Sequence, residues 1–263
     1  TTRLAYNQAP SLSYWWLDSH VNLDDTQSAR ARQDLDAFFQ WHRNSELPVY
    51  AGLLRQWQAL ATQDITPAQA CAQFEVVRAR LERAAGETVE PFARLALQLS
   101  PAQLEHLKGH LAEGNETFEK DFLRGSPEQR IGKRLDKALS RSESLYGKLS
   151  AEQRTLLRGL IQTSPFDAQR TQAERLRRQA DLAQTVREAQ ATPAKAEQLV
   201  RAHIARFSQS PTPGYDAYNQ TLVREGCAQF ATLHNSTTPE QRANAVNALK
   251  GYEADVVSLA SRD

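Results

Sequence analysis

The sequence predicts an all-α protein, and three observations indicate this fold class. Strand signals are nearly absent, since the chain has no sustained apolar–polar alternation and no Asn-Gly or Asp-Gly hairpin turn. Helix-start signals recur along the whole chain. Hydrophobic residues make up 40% of the 263 residues, which is enough to build a substantial core. We therefore expect an irregular multi-helix array or bundle of about a dozen helices, organised as one domain over residues 1–263.

The most specific helix-start signal is the capping box. A Ser or Thr hydroxyl accepts a hydrogen bond from a free backbone N–H of the first turn, and a Gln three residues later bonds back to the capping residue. Proline at the first helical position strengthens the signal, because no hydrogen bond is lost there. Capping boxes of this form begin at Thr66, Ser100, Ser126, Ser150 and Thr238. Further starts are Asp24 with Gln27, Ser164-Pro165 with Asp167, and Thr192-Pro193.

The ends of the helices are predicted from the positions of glycines and from the spacing of the helix-start signals. Gly86, Gly114 and Gly125 lie where helices should end, because glycine readily adopts the left-handed conformation of a helix C-cap. Pro211 and Pro213 mark segment 208–214 as a linker, where a subdivision of the domain is expected if there is one. The predicted helices cover residues 11–20, 25–44, 47–62, 67–86, 88–98, 101–113, 115–124, 127–148, 151–163, 165–190, 193–208, 214–234 and 239–261.

The distribution of aromatic residues predicts the position of the core. All four tryptophans fall in the first quarter of the chain. A group of large residues in that quarter recurs at helical spacing, which is typical of one buried stripe. This stripe consists of Leu35, Phe38, Phe39 and His42. We therefore expect the main core to be centred on the first quarter.

The residues Tyr14, Trp15 and Trp16 form one candidate binding surface. Two adjacent tryptophans cannot face the same way on a helix, so one of them should face a groove, a second layer of helices or a partner. The alternative is that the pair wraps between two neighbouring helices.

A continuous basic stripe on the helix predicted over 127–148 forms the second candidate surface. The stripe consists of Arg130, Lys133, Arg134, Lys137 and Arg141. Such a face is suited to an anionic lipid headgroup, a phosphorylated glycolipid or an acidic protein surface. The alternative is a solvated helix face whose charge is relieved by Asp136 and Glu143.

Three histidines offer weak candidates for chemistry. His106 and His110 lie four residues apart on one predicted helix, with Glu113 a turn further on, a spacing that suits two ligands of a divalent metal. The Glu that a metalloprotease places after its first histidine is missing, and a solvated face is the alternative. An enzyme that used these residues or His20 would need a concave pocket with convergent polar groups. No motif for a nucleophile, a phosphate or a dinucleotide is present, so no cofactor is expected.

The two cysteines, Cys71 and Cys227, each begin the same tetrapeptide, Cys-Ala-Gln-Phe. One hypothesis is a disulfide bond, which would close a long loop and stabilise the fold by on the order of 4 kcal/mol. The other hypothesis is two separate thiols, each buried in an apolar helix face.

Charge and hydropathy exclude some classes of partner. Because the net charge is only +1, no overall field attracts the chain to nucleic acid. The longest apolar stretches fall far short of the roughly 18 to 20 residues that span a bilayer. The chain begins with Thr1 and contains no Met, which predicts a processed or trimmed N-terminus.

Four segments near the N-terminus resemble an uncharacterised family of Gram-negative lipoproteins, and the resemblance extends over the whole chain. They are 4–10 (Leu-Ala-Tyr-Asn-Gln-Ala-Pro), 14–18 (Tyr-Trp-Trp-Leu-Asp), 41–43 (Trp-His-Arg) and 46–48 (Glu-Leu-Pro). In that family the first segment follows the lipidated cysteine, so the resemblance implies an N-terminal lipid tether just before Thr1. It also implies a periplasmic location on a membrane, with the outer membrane favoured. It assigns no activity.

Two helix starts resemble the Leu-Thr-x-x-Gln starts of the periplasmic Spy and CpxP chaperones. They are Leu99-Ser100-Pro101-Ala102-Gln103 and Leu149-Ser150-Ala151-Glu152-Gln153, with Ser in place of Thr. Capping chemistry alone is an alternative origin for this pattern. The resemblance implies a holdase-type or stress-linked role.

From these observations we expect a non-catalytic envelope lipoprotein that binds another envelope component, a protein or an anionic lipid or glycolipid, through a helical surface. The alternative is a periplasmic holdase that shields unfolded clients, and a metal-dependent enzyme is the third hypothesis.

Overall fold

A computed structural model describes residues 2–261 of the chain. In that range the chain forms thirteen α-helices and one 3₁₀ turn, Pro193–Lys195, and it contains no strand. The helices are α1 (Thr2–Asn7), α2 (Ala9–Val21), α3 (Asp25–Ser45), α4 (Leu47–Leu60), α5 (Pro67–Glu87), α6 (Val89–Gln98), α7 (Pro101–Phe122), α8 (Pro127–Tyr146), α9 (Ala151–Gln162), α10 (Ala168–Ala191), α11 (Ala196–Ser208), α12 (Tyr215–Asn235) and α13 (Pro239–Ala260). The predicted all-α fold class is confirmed.

The capping boxes form as the sequence predicts. At each predicted box the hydroxyl accepts from the Gln backbone N–H, while the Gln side chain accepts from the backbone N–H of the capping residue. Asp24 makes the same pair of bonds with Gln27 at the start of α3. Gly125 has a φ of 88° and lies three residues after the last residue of α7, close to the predicted helix end.

The predicted helix end at Gly114 is wrong, because α7 continues through this residue to Phe122. The glycine allows a close approach between two helices. A Cβ atom at this position would lie 3.0 Å from Nη2 of Arg175 on α10. Arg175 donates from Nε to Oδ1 of Asn115, at 2.8 Å. The packing of α10 therefore outweighs the roughly 1 kcal/mol that a glycine costs inside a helix.

Other differences lie at helix starts. The first seven residues include the short helix α1, which the sequence pattern did not predict. Helix α10 begins three residues later than expected, because Asp167 is the residue that caps its first turn, accepting from the Arg170 backbone N–H at 3.0 Å. The helix expected from residue 193 begins as the 3₁₀ turn and becomes α-helical at Ala196.

The helices pair in a nested order that brings the two ends of the chain together. Helix α4 packs along α13, and α5 packs along α12. Helix α1 also contacts α13, where Arg3 and Asp255 form an ion pair of 2.9 Å. Helix α11 packs against both α6 and α10. None of the helices in residues 2–261 is long and apolar enough to cross a membrane.

The expected core in the first quarter is wrong. The residues of the predicted stripe, Leu35, Phe38, Phe39 and His42, are only partly buried. The larger buried cluster contains Ala61, Leu135, Tyr146, Leu149, Leu157, Ile161, Leu233 and Ala245, and a second contains Val89, Ala93, Ala189, Ala196 and Val200. Three residues of the stripe face a groove instead of a layer of helices, which is why they remain accessible.

The linker predicted over 208–214 is held against α10 by a buried carboxylate. Glu174 is 2% exposed and accepts hydrogen bonds from Arg177, from Arg178 and from the hydroxyl of Thr212, the last at 3.0 Å. Burial opposes ionisation of Glu174, but the hydrogen bonds from Arg177, Ser210 and Thr212 outweigh it and hold the pKa of the carboxyl below its usual value. The linker is therefore fixed by charge-assisted hydrogen bonds.

Candidate binding surfaces

Helix α2 presents two tryptophans to solvent. Trp15 is 69% exposed and Trp16 is 63% exposed, although tryptophan usually buries most of its area. Tyr14 is buried, since its hydroxyl donates to Oγ of Ser28 at 2.9 Å and the Arg32 guanidinium lies over its ring. Tyr14 therefore packs α2 on α3, and the exposed part of this candidate surface is the tryptophan pair.

Trp16 lies on the wall of a groove between α2, α3 and α6, which encloses about 870 Å³. We call it the α2–α3–α6 groove. Its apolar lining includes Leu12, Trp16, Leu17, Leu35, Phe38, Phe39, Trp41, Phe92 and Leu95. Trp15 does not line it. The volume lies within the roughly 300 to 1,000 Å³ that is usual for ligand pockets.

Most charged groups of the α2–α3–α6 groove are paired with one another, and Glu87 adds one further carboxylate to the lining. Arg94 bonds both carboxylate oxygens of Asp34, at 3.0 and 2.8 Å, and also bonds Glu90 at 3.0 Å. Arg30 bonds Asp34 at 3.2 Å. Because these side chains are already paired, the groove offers an aromatic surface with little net charge.

The basic stripe lies on α8, and several of its side chains are already bonded to the end of α7. Lys133 donates to the backbone carbonyl of Lys120 at 2.6 Å. Lys137 forms an ion pair with Asp121 at 2.9 Å. Cations at these positions satisfy free carbonyls and favour the negative end of the helix dipole. The other members are Arg130, which bonds the Leu123 carbonyl, Arg134, which lies over the Phe166 ring, and Arg141, which is exposed.

The three histidines join α7 to α2. Nε2 of His106 donates to the backbone carbonyl of Ser19 at 2.9 Å. The rings of His20 and His110 meet with centroids 4.1 Å apart. In residues 2–261 no group of three or more His, Cys, Asp and Glu side chains could hold a metal ion. None of these histidines lines the α2–α3–α6 groove.

Two of the segments that carry the lipoprotein resemblance, 4–10 and 41–43, meet at His42. The Tyr6 hydroxyl lies 2.8 Å from Nδ1 of His42. Arg43 donates to the Asn7 side chain at 3.3 Å and to the Leu259 carbonyl at 2.7 Å. Burial raises the pKa of Tyr6 to about 12, so its hydroxyl keeps its proton. These contacts fasten α1 to α3 and to α13.

A disulfide bond joins Cys71 to Cys227, whose Cα atoms are 5.3 Å apart. The disulfide hypothesis is confirmed, and that of two separate thiols is wrong. The bond links α5 to α12, which run antiparallel, since Ile65 before α5 bonds Asn235 at the end of α12. Phe74 and Phe230 follow their cysteines by three residues, so they lie on opposite sides of the disulfide along this helix pair.

A second groove runs beneath this helix pair and encloses about 720 Å³. We call it the α5–α12 groove. Phe74 and Phe230 line its mouth and are 43% and 47% exposed. The bottom of the groove, which we call its floor, is buried and is formed by residues of α8, α12 and α13 and by the end of α4. The floor includes Ala61, Tyr146, His234 and Ala245.

Tyr146 and His234 form a neutral hydrogen-bonded pair in that floor. Nε2 of His234 donates to the Gln63 carbonyl at 2.8 Å, so Nδ1 accepts from the Tyr146 hydroxyl, also at 2.8 Å. Burial raises the pKa of Tyr146 to about 12. Burial lowers the pKa of His234, and the bond to Gln63 only partly offsets this. The pair is therefore uncharged at neutral pH.

Comparison with known families identifies the chain's relatives. The model of a family of unknown function, DUF6279, matches residues 19–222. The chain belongs to the DUF6279 family. No curated protein and no solved structure matches it. The expected membership of an uncharacterised family is thus confirmed, while the lipid tether and the chaperone resemblance stay predictions. The DUF6279 match includes Cys71 and the α3 and α6 walls of the first groove, whereas Trp16 and Cys227 lie outside it.

The sequence pattern identified only part of these surfaces in the DUF6279 protein. One of Trp15 and Trp16 was expected to face a groove, a second layer or a partner, without a choice between them, and Phe92 and Arg94 on α6 were missed because nothing local to α6 marks them as neighbours of α2. The α5–α12 groove was missed as a site. One signal for it was available, since the repeated Cys-Ala-Gln-Phe places Phe74 and Phe230 one turn from each cysteine.

We expect the free energy of unfolding of this DUF6279 protein to fall in mild acid. Burial lowers the pKa of His42 and His234 below the ordinary value of 6.5, so the unfolded chain binds their protons more readily. The stability they provide is complete above pH 6.5 and is lost as the pH falls toward the lowered values. For His234 this loss should appear between about pH 7.5 and pH 5.5.

Urea denaturation at the two pH values measures this loss. The His234→Gln variant should be less stable at neutral pH, but its unfolding free energy should change less between the two pH values. An equal change in both proteins would show that His234 does not contribute.

Proposed function

We propose that this DUF6279 protein is a non-catalytic binding protein of the Gram-negative cell envelope, and that its partner is another envelope protein. The observation that carries the proposal is the α2–α3–α6 groove, with the exposed Trp16 at its rim. Aromatic side chains in such positions supply most of the binding energy in protein interfaces. The N-terminal resemblance supports a lipid tether just before Thr1 and a periplasmic location at a membrane, with the outer membrane favoured.

A protein partner fits the groove better than an anionic lipid. Arg30 and Arg94 are paired with carboxylates within the groove. Of the basic stripe, Lys133 and Lys137 bond the end of α7. A phosphate or a sugar phosphate would therefore have to compete with existing ion pairs, whereas an apolar protein segment needs only the aromatic lining.

The two adjacent tryptophans provide a matched pair of variants. Both side chains are exposed to a similar extent, but only Trp16 lines the groove. We expect Trp16→Ala to weaken binding of the partner about 30-fold, as for a typical tryptophan anchor. Trp15→Ala should change it little.

The partner is captured from envelope extract with the full lipidated chain and identified by mass spectrometry, and affinity is then measured with the purified pair. One protein recovered in stoichiometric amount by the unmodified chain and by Trp15→Ala, but not by Trp16→Ala, is the expected result. Equal recovery by all three proteins would contradict the proposal, and loss in both variants would favour the outer face of α2 over the groove.

A periplasmic holdase is the second candidate function. It is favoured by large apolar side chains that remain exposed on several separate helices, among them Leu12, Phe74, Phe207 and Tyr252. A holdase should suppress aggregation of chemically unfolded clients at near-stoichiometric amounts and without ATP. In the capture experiment it would recover many unrelated proteins, with little difference between the two tryptophan variants.

A further inference from the structure

The α5–α12 groove is long and narrow. Its residues on α12 run along one helix face from Asn219 to His234, a length of roughly 22 Å at about 1.5 Å per residue. A volume of about 720 Å³ over that length leaves a cross-section on the order of 30 Å². The groove is therefore long and narrow enough for an extended hydrocarbon chain to lie along α12, whereas an α-helix, roughly 10 Å across with its side chains, would stand partly outside it.

The groove has no charged lining. None of its residues within 2–261 is Asp, Glu, Lys or Arg. Its polar groups are largely bonded to the protein, since Gln73 accepts from the Trp57 indole at 2.8 Å and Tyr146 bonds His234. Burying an unpaired polar or charged group of a ligand there would cost several kcal/mol. The part of a ligand that enters must therefore be hydrocarbon.

The disulfide bond limits how far α5 and α12 can move apart, and it therefore limits the width of the groove. The disulfide between Cys71 and Cys227 holds α5 against α12 along the upper wall. Helix α5 has no fully buried residue of its own, and it is held by this bond, by the contact with α12 and by the ion pairs of Arg80 and Arg83 with the buried carboxylate of Glu46. The groove cannot widen for a bulky ligand without moving α5 or breaking the bond.

We propose that the α5–α12 groove binds the straight hydrocarbon chain of a single-chain lipid, such as a fatty acid or a lysophospholipid. The chain lies along α12, with Phe74 and Phe230 covering it at the mouth and the polar headgroup outside the uncharged lining. This site is separate from the α2–α3–α6 groove and does not depend on the function proposed for that surface.

The test uses the full oxidised chain and parinaric acid, a straight-chain fatty acid whose fluorescence rises when it enters an apolar environment. We expect saturable binding of one molecule per chain. Gly226 lies in the groove wall, and a Cβ atom added there meets nothing within 4 Å. The Gly226→Leu variant should therefore fold normally, fill part of the narrow cross-section and weaken binding about tenfold or more.

The control is Gly251→Leu, at a helical glycine with equally open space that does not line the groove. It should bind like the unmodified chain. A second pair lies on α5, where Phe74→Ser should weaken binding and Leu81→Ser, exposed but outside the groove, should not. Absence of saturable binding, or equal affinity in Gly226→Leu and Gly251→Leu, would overturn the proposal.

Competition identifies the source of the hydrocarbon chain. Displacement of parinaric acid by palmitate alone indicates a fatty acid, and displacement by lysophosphatidylcholine as well indicates that the headgroup is not selected. Both results support the site. Displacement by an amphipathic helical peptide but by neither lipid would overturn it and indicate a protein partner.

Discussion

Removal of the disulfide, with Cys71→Ala and Cys227→Ala together, should lower the free energy of unfolding by about 4 to 5 kcal/mol. The two cysteines are 156 residues apart, so the bond restricts a large part of the unfolded chain. Loss of the bond should also loosen α5 in the folded protein, since α5 has no fully buried residue and is otherwise held by α12 and by the ion pairs of Arg80 and Arg83 with Glu46. Without the bond, the free energy of unfolding should also fall more steeply with urea concentration, because the unfolded chain then exposes more surface.

Equilibrium urea unfolding of the oxidised chain and of the double variant measures the difference. In the presence of reductant the two proteins should have nearly equal stability, which is the internal control. A difference of less than about 1 kcal/mol between the oxidised chain and the variant would contradict this account of α5.

Glu174→Ala should destabilise the protein by about 3 kcal/mol. The carboxylate is 2% exposed and receives bonds from Arg177, Arg178 and Thr212. Its removal leaves two guanidinium groups without their partner and frees segment 208–214 from α10. Because the pKa of Glu174 is lowered, its contribution is present above the ordinary value of 4.5 and is lost as the pH falls below it.

The matched control is Glu75→Ala on α5. Glu75 pairs with Arg78 at the same three-residue spacing as Glu174 with Arg177, but its side chain is 54% exposed. Exposed pairs contribute about 0 to 1 kcal/mol, so this variant should change thermal and urea stability little. Equal losses in the two variants would show that burial of Glu174 does not set the size of the effect.

Local structure was predictable wherever a few neighbouring residues decide it. The capping box at Ser126 and Gln129 needs only those two side chains and the first turn, and it forms as expected. The end of the preceding helix at Gly125 is equally local. Gly114 shows the limit, because the approach of Arg175 from α10 determines its role, and no pattern around residue 114 records that distant contact.

The binding surfaces depend on such distant contacts, so the sequence identified them only in part. The sequence left open which of Trp15 and Trp16 faces a groove, and Trp16 lines one because α6 lies beside α3. The stripe residues Lys133 and Lys137 share one helix face as predicted, yet both are already bonded to the end of α7. Helical periodicity shows which residues share a face, and it does not show what that face will contact.

Because of the way the helices pair, the two walls of the α5–α12 groove are held together by different kinds of bond. The disulfide closes residues 71–227 into a covalent ring, and both α4 and α13 lie outside that ring. The upper wall is therefore joined by a chemical bond. On the opposite side α4 and α13, from the two tails of the chain, are held together by packing, by an ion pair of 2.7 Å between Arg55 and Glu253 and by a hydrogen bond from Gln58 to Glu253. The two walls therefore differ in kind, because urea does not break the bond that closes the ring, whereas the contacts between the two tails are lost when the chain unfolds.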